Sequence, residues 1–203
     1  MAMGNPSLSP VLPFWLGPLD ADGLAAADKV ERWFAKSDEL DTLVRSTFSD
    51  VHAELLREGP SFVPDGSREA LAAIVVLDQF SRNMFRGTPA MFATDPLAEG
   101  LARRLVDTGA HEELATHERV FVYMPFMHAE RLEAQEACVR LMSALVEGTT
   151  GRARAAVASN VRFAEAHRDI VARFGRFPHR NAILGRVSSA EEVAFLTEPG
   201  SSF

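Results

Sequence analysis

The 203-residue chain has one cysteine and one tyrosine, and its only lysines are Lys29 and Lys36. With Cys138 alone, no intramolecular disulfide can form, which fits a reducing compartment; the expected localisation is cytoplasmic. Residues 1–10 hold no basic stretch followed by a long apolar run, so no signal peptide is read there. No apolar run approaches the roughly 18 residues of a membrane span, so no membrane partner is expected. There is no P-loop, no G-x-G-x-x-G and no G-x-S-x-G. Neither H-E-x-x-H nor Glu-x-x-His occurs, which removes the zincin pattern and the usual di-iron pattern of helical bundles. No cofactor and no metal are expected.

What is present fits one globular domain over 1–203. Hydrophobic residues make up 47% and charged residues 24%, ordinary proportions for a packed core. The length is enough to bury that core without a staple. Net charge is −7, unevenly spread. Residues 151–186 carry eight arginines against Glu165 and Asp169, a local charge of +6.

The apolar spacing is helical nearly everywhere. Leu40, Leu43, Val44, Phe48, Val51 and Leu55 form a stripe of period near 3.6 over 38–57, with Ser37 as N-cap and Gly59 at the stop. A shorter helix is expected within 22–35. The apolar segment 11–16 is too short to stand alone and is expected to pack onto the domain. Residues 68–85 are apolar on almost every face, as in a buried helix. Asp95-Pro96 reads as an N-cap followed by proline at the first helical position. Helices are also read over 115–124, ending or kinking at Pro125, and over 129–147. A long helix follows over 152–174, then a short one capped by Ser188 or Ser189 with Glu191 or Glu192. Cys138 lies on an apolar face and reads as a core thiol. One short echo, R-N-x-apolar-x-G, occurs at Arg82-Asn83 and again at Arg180-Asn181.

Three polar anomalies interrupt this pattern. The apolar helix 68–85 carries Asp78, Gln79, Arg82, Asn83 and Arg86. Asp78, Arg82 and Arg86 are four apart and share one helix face. A buried unpaired ion costs several kcal/mol, so these groups must pair or line a wet pocket. One reading is an Asp78–Arg82 pair that fixes packing; the other is a cavity with Arg86 as the spare cation. The second anomaly is Arg173, Arg176, His179, Arg180 and Asn181 among Phe174 and Phe177. Guanidinium forks suit carboxylate or phosphate. The third is Tyr123 to Glu130, where His128 and Glu130 flank a helix start and could move protons or simply cap it. His167 falls on an apolar stripe, as a core histidine or a working one.

These stretches resemble a known family. Phe14-Trp15, the run from Leu77 to Pro89 with Phe92 and Asp95-Pro96, the run from Tyr123 to Glu130 with Gln135, and the run from Arg173 to Asn181 with Leu184-Gly185-Arg186 are similar to a bacterial family of unknown function, numbered nine-two-four. Ala129 and Leu16 are small departures. The resemblance implies an all-α, tetratricopeptide-like array of antiparallel helix pairs. It implies no activity.

The preferred functional reading is a pocket for a small anion. Asp78, Arg82, Asn83, Arg86, Tyr123, His167, Arg176, Arg180 and Asn181 are its candidate binding residues. His128, Glu130 and His179 are candidates for proton transfer in hydrolysis or elimination. A second reading is a tetratricopeptide-like module clamping an acidic or carboxyl-terminal peptide. A third is RNA binding through residues 151–186, which the overall charge of −7 opposes. Oligomeric state is not read from the sequence.

Overall fold

The computed structural model describes residues 7–202; residues 1–6, part of the stretch in which no signal peptide is read, lie outside the described residues. The elements are α1 (Val11–Trp15), α2 (Ala27–Phe34), α3 (Asp38–Glu58), α4 (Ser67–Ile74), a π-helical segment Val75–Phe80, α5 (Ser81–Met84), α6 (Asp95–Asp107), α7 (Thr116–His128), α8 (Leu132–Glu147), α9 (Gly151–Phe174) and α10 (Ala190–Phe195). Short 3₁₀ turns join several of them, and among the described residues no strand occurs. The all-α fold class is as expected. No helix is long and apolar enough to cross a membrane among the described residues.

Local chemistry sets the boundaries. Ser37 accepts the Leu40 amide at 3.2 Å, and Gly59 closes α3 at φ 54°, a conformation that favours glycine. Ser189 and Glu192 form a full capping box on α10. α7, α8 and α9 follow one another through connections of three residues and pack along each other, so neighbours run antiparallel. α4 packs on α6, α6 on α7, and α3 on α5.

The amino-terminal segment packs as expected. Phe14 and Trp15 meet Phe80 at ring separations of 5.8 and 5.4 Å, and Phe48 lies 4.6 Å from Phe80. Trp33 donates its indole N–H to the Trp15 carbonyl at 2.9 Å. One buried cluster joins these rings to α4, α6, α7 and α8, and Cys138 sits inside it, fully buried. A smaller cluster, Ile170, Val171 and Phe177, lies under the carboxyl-terminal segment.

Four boundaries differ from the sequence reading, the simplest being that the helix read over 129–147 begins at Leu132. The helix at 68–85 is not α-helical throughout: residues 75–80 widen to i→i+5 bonding. Thr94, not Asp95, occupies the N-cap of α6, though its side chain makes no capping bond. The helix at 115–124 continues through Pro125 to His128, so His128 ends α7 rather than flanking the start of the next helix.

The π segment is stabilised by side chains that reach its carbonyls. Thr94 donates its hydroxyl to Leu77 O at 2.6 Å, and Arg82 donates to Asp78 O at 2.7 Å. The Ser81 hydroxyl bonds both Thr94 Oγ1 at 2.8 Å and His52 Nε2 at 2.9 Å. Thr94→Val keeps the shape but leaves the Leu77 carbonyl buried without this donor, at a cost of about 1–3 kcal/mol. Urea unfolding of Thr94→Val is expected to show that loss; an unchanged midpoint and slope would mean that Thr94 does not support the π segment.

Candidate functional site

The wider π turn carries Asp78, whose carboxylate is fully buried. It is enclosed by donors. His128 Nδ1 donates to Oδ1 at 2.7 Å, Gln79 Nε2 donates to Oδ2 at 2.6 Å, and Arg82 Nη1 lies 3.1 Å from Oδ1. Burial pushes the Asp78 carboxyl upward, but Arg82 and His128 outweigh it and hold the group well below the usual carboxylate range.

Arg82 is shared. Its Nη1 and Nη2 donate to Asp95 Oδ1 and Oδ2 at 2.9 and 3.0 Å, a bidentate pair at the first turn of α6. Arg180, from the turn after α9, comes to the same carboxylate from the other side. Its Nη1 lies 3.4 Å from Asp95 Oδ2, a long contact. Its guanidinium carbon lies over the rings of Phe92 and Phe177, at 4.5 and 4.6 Å from the ring centroids. Nε is buried with no hydrogen bond, and Nη2 forms none among the described residues. Burial, then the charge of Arg82, pulls the Arg180 pKa down to about 10.

His128 and Arg180 both line a cleft of about 390 Å³, with Asp95, Phe92, Glu99, Glu130 and Arg131 around them. That volume falls within the ~300–1,000 Å³ of ligand sites. The His128 ring is 12% exposed, and Nε2 has no hydrogen-bond partner among the described residues. Burial, followed by the charge of Arg82, lowers the His128 pKa and keeps the ring neutral.

The structure therefore brings together Asp78, Arg82, His128 and Arg180, with Glu130 at the rim. The shared Asp78–Arg82–Arg86 face divides. α5 ends at Met84, so Arg86 lies beyond the helix and turns to Asp41 of α3, bonding it at 2.5 and 2.8 Å. Asn83 donates to the same Asp41 at 2.8 Å. Arg86 is thus a paired cation, not a spare one. Both Glu130 oxygens accept from Arg186, at 2.6 and 2.8 Å, and Oε1 also accepts the Phe177 amide. That set of bonds fixes the 177–186 segment and leaves Glu130 poorly placed to move a proton.

The other candidates are held outside the cleft. Tyr123 bonds His111 Nδ1 at 2.8 Å. Arg176 forms a two-point pair with Glu192, which Asn181 also contacts at 3.3 Å. His167 sits behind His128 at a ring separation of 6.4 Å, its Nδ1 2.7 Å from Phe163 O and its ring against Phe177. His179 lies beyond Phe177, ring to ring at 5.5 Å, and interacts with the Ser201 backbone. Burial, against the opposing bond to the Phe163 carbonyl, takes His167 down to about 3; burial, then the charge of Arg180, takes His179 down to about 4. The sequence reading missed Asp95 as a site residue. Its Asp-Pro pattern was already explained by helix initiation, which masked a second use. No group of three or more metal-ligating side chains occurs among the described residues.

The family model of a bacterial protein of unknown function, DUF924, matches residues 11–200. Among solved structures, a protein of unknown function from Agrobacterium tumefaciens is similar to this chain at 37% identity and a TM-score of 0.75. The match covers 94% of this chain and 96% of that one. Comparison with curated proteins finds no match.

Asp78→Asn removes the buried charge that Arg82 and His128 surround, and is expected to cost about 3–5 kcal/mol at neutral pH. Because the folded-state pKa of Asp78 is depressed, its contribution is full above the unfolded value of about 3.9 and fades as pH falls through the folded value. Denaturation at pH 7 and again near pH 3 should show the gap between the wild type and Asp78→Asn beginning to narrow, because pH 3 lies below the unfolded value but above the folded one. A gap that stays constant with pH would mean that Asp78 contributes no charge to stability.

Proposed function

The chain belongs to the DUF924 family of bacterial proteins of unknown function, and from its own geometry we propose that the cleft binds a small oxyanion, a carboxylate or a phosphate. One observation carries this reading. Arg180 is a nearly buried guanidinium whose Nε and Nη2 edge makes no protein hydrogen bond among the described residues, and the residue lines a cleft of ligand size. A buried donor without a partner costs free energy, and a guanidinium donates readily to the oxygens of an anion. Contacts with Phe92 and Phe177 restrict the side chain, so little freedom is lost when a ligand arrives.

Beside the fork, the Asp78–His128 pair supplies an acid/base group. A buried carboxylate that accepts from Nδ1 sets the imidazole tautomer and leaves Nε2 for chemistry at the cleft. Hydrolysis or elimination of a bound anion would use that nitrogen.

The arginines of residues 151–186 favour this cleft over an RNA-binding face. Arg152, Arg168, Arg173, Arg176 and Arg186 are each engaged with a carboxylate of this chain. The same pairing leaves few of them to clamp an acidic peptide.

A thermal-shift series tests the reading. Sulfate, phosphate and short dicarboxylates would be added to the wild type, Arg180→Lys, Arg180→Gln and, as a control outside the cleft, Arg176→Gln. A ligand at about 100 times its dissociation constant stabilises by about 2.7 kcal/mol, a shift of several degrees for a domain of this size. The wild type and Arg176→Gln should shift; Arg180→Gln should not, and Arg180→Lys should lose most of the effect because it keeps charge without the fork. A full shift in Arg180→Gln would remove Arg180 from the site.

A further inference from the structure

Around His128 the charges are matched before any ligand arrives. From the π segment and α5 it meets Asp78, Gln79 and Arg82; from α6, Asp95 and Glu99; from α9, His167; from the turn after α9, Arg180. Glu130 and Arg131 stand at the rim, bonded to Arg186 and Glu99. Glu99 is taken by Arg103 and Arg131, so in the inner group two carboxylates, Asp78 and Asp95, face two guanidiniums, Arg82 and Arg180, and His128 is neutral. An oxyanion seated on Arg180 adds negative charge to a site whose burial screens it poorly.

The tautomer sharpens the conflict. An ionised carboxylate only accepts, so Asp78 keeps the single imidazole hydrogen on Nδ1. Nε2 of the neutral ring is therefore a lone pair in the same cleft as the Arg180 fork. A lone pair repels an oxyanion. Once Nε2 takes a proton from solvent, it donates to the oxyanion, and the ring's charge is balanced on both sides. His128 is also the last residue of α7, where the negative end of the helix dipole favours a cation.

We infer that the cleft takes up its oxyanion together with one proton, with His128 as the residue that carries it and Asp78 as the fixed counterion behind the ring. This rests on the oxyanion reading of Arg180. It adds His128 as the second anchor of the ligand and selects ligands that offer oxygens to both Arg180 and Nε2. It also makes binding stronger toward acid: as pH rises, the proton becomes harder to supply and affinity falls.

Imidazole nitrogen NMR on the full chain tests this, with sulfate and oxalate as probes because both stay fully ionised between pH 6 and 8.5. His128→Gln assigns the signal by its disappearance. Adding sulfate at pH 7.5 should move the His128 Nε2 resonance toward the protonated position and raise its apparent pKa by about 1–3 units. The Arg180 Nε signal should shift over the same titration, and in His128→Gln the binding that remains should lose its pH dependence. Shifts at Arg180 with an unchanged His128 tautomer would overturn proton uptake while the oxyanion site stands. No change at either residue with both probes would overturn the oxyanion site itself, and proton uptake with it.

Discussion

The buried carboxylate of Asp78 is the constraint on which the surrounding structure depends. A charge buried this completely requires partners from several directions. Gln79 and Arg82 come from its own segment, and His128 comes from the end of α7. Arg82 is in turn fixed by Asp95, which opens α6, and Asp95 is what Arg180 reaches from beyond α9. A single buried ion thus ties together the middle of the chain, two helix ends and the carboxyl-terminal segment. Removing any one link exposes the next to an unbalanced charge, which is why the network behaves as a unit and not as separate pairs.

The π turn explains how such a charge can sit in an otherwise apolar helix. Between Val75 and Phe80 the ladder widens, and carbonyls that an α-helix would occupy accept from Thr94 and Arg82 instead. The aromatic residues at the start of the chain then close over the apolar side: Phe14, Trp15 and Phe48 all pack on Phe80, two residues after Asp78. One side of the segment is sealed by rings and the other is open to the cleft through His128. The division between core and site runs through consecutive residues of one helix.

Much of the fold was legible, because it rests on periodicity and caps. The α3 stripe, Ser37, Gly59, the segment 11–16 and the Ser189 box all follow from side-chain chemistry within a few residues. The candidate site was legible in a weaker sense. Charged residues in an apolar run must have partners, and that argument picked out Asp78 and Arg82; the cluster of arginines among Phe174 and Phe177 picked out Arg180. It could not choose the partners. Arg86 looked like the spare cation because the four-residue spacing assumes an unbroken α-helix, whereas α5 stops at Met84 and sends Arg86 to Asp41. Arg176 and Asn181 looked like ligand groups because nothing local reveals that Glu192 lies against them. Asp95 was invisible as a site residue for the opposite reason: helix initiation already accounted for it. Local chemistry fixes elements, but the pairing of charges is a tertiary fact.

What remains after every pair is formed is the informative part of the molecule. Arg86, Arg176 and Arg186 each have a two-point carboxylate partner. Arg180 differs from them. It is more buried than any of the three, its one carboxylate contact is the long 3.4 Å approach to an Asp95 already held by Arg82, and two aromatic faces keep it from turning elsewhere. A fold selected only for stability would pair or remove such a group, since burying an incompletely paired cation is unfavourable. Its retention beside an imidazole whose Nε2 is also unengaged places an unbonded guanidinium donor and an imidazole lone pair in residues of one cleft. Stability arguments account for Asp78, Arg82 and Asp95; they do not account for the unbonded nitrogens of Arg180 and His128, which the proposed oxyanion would engage.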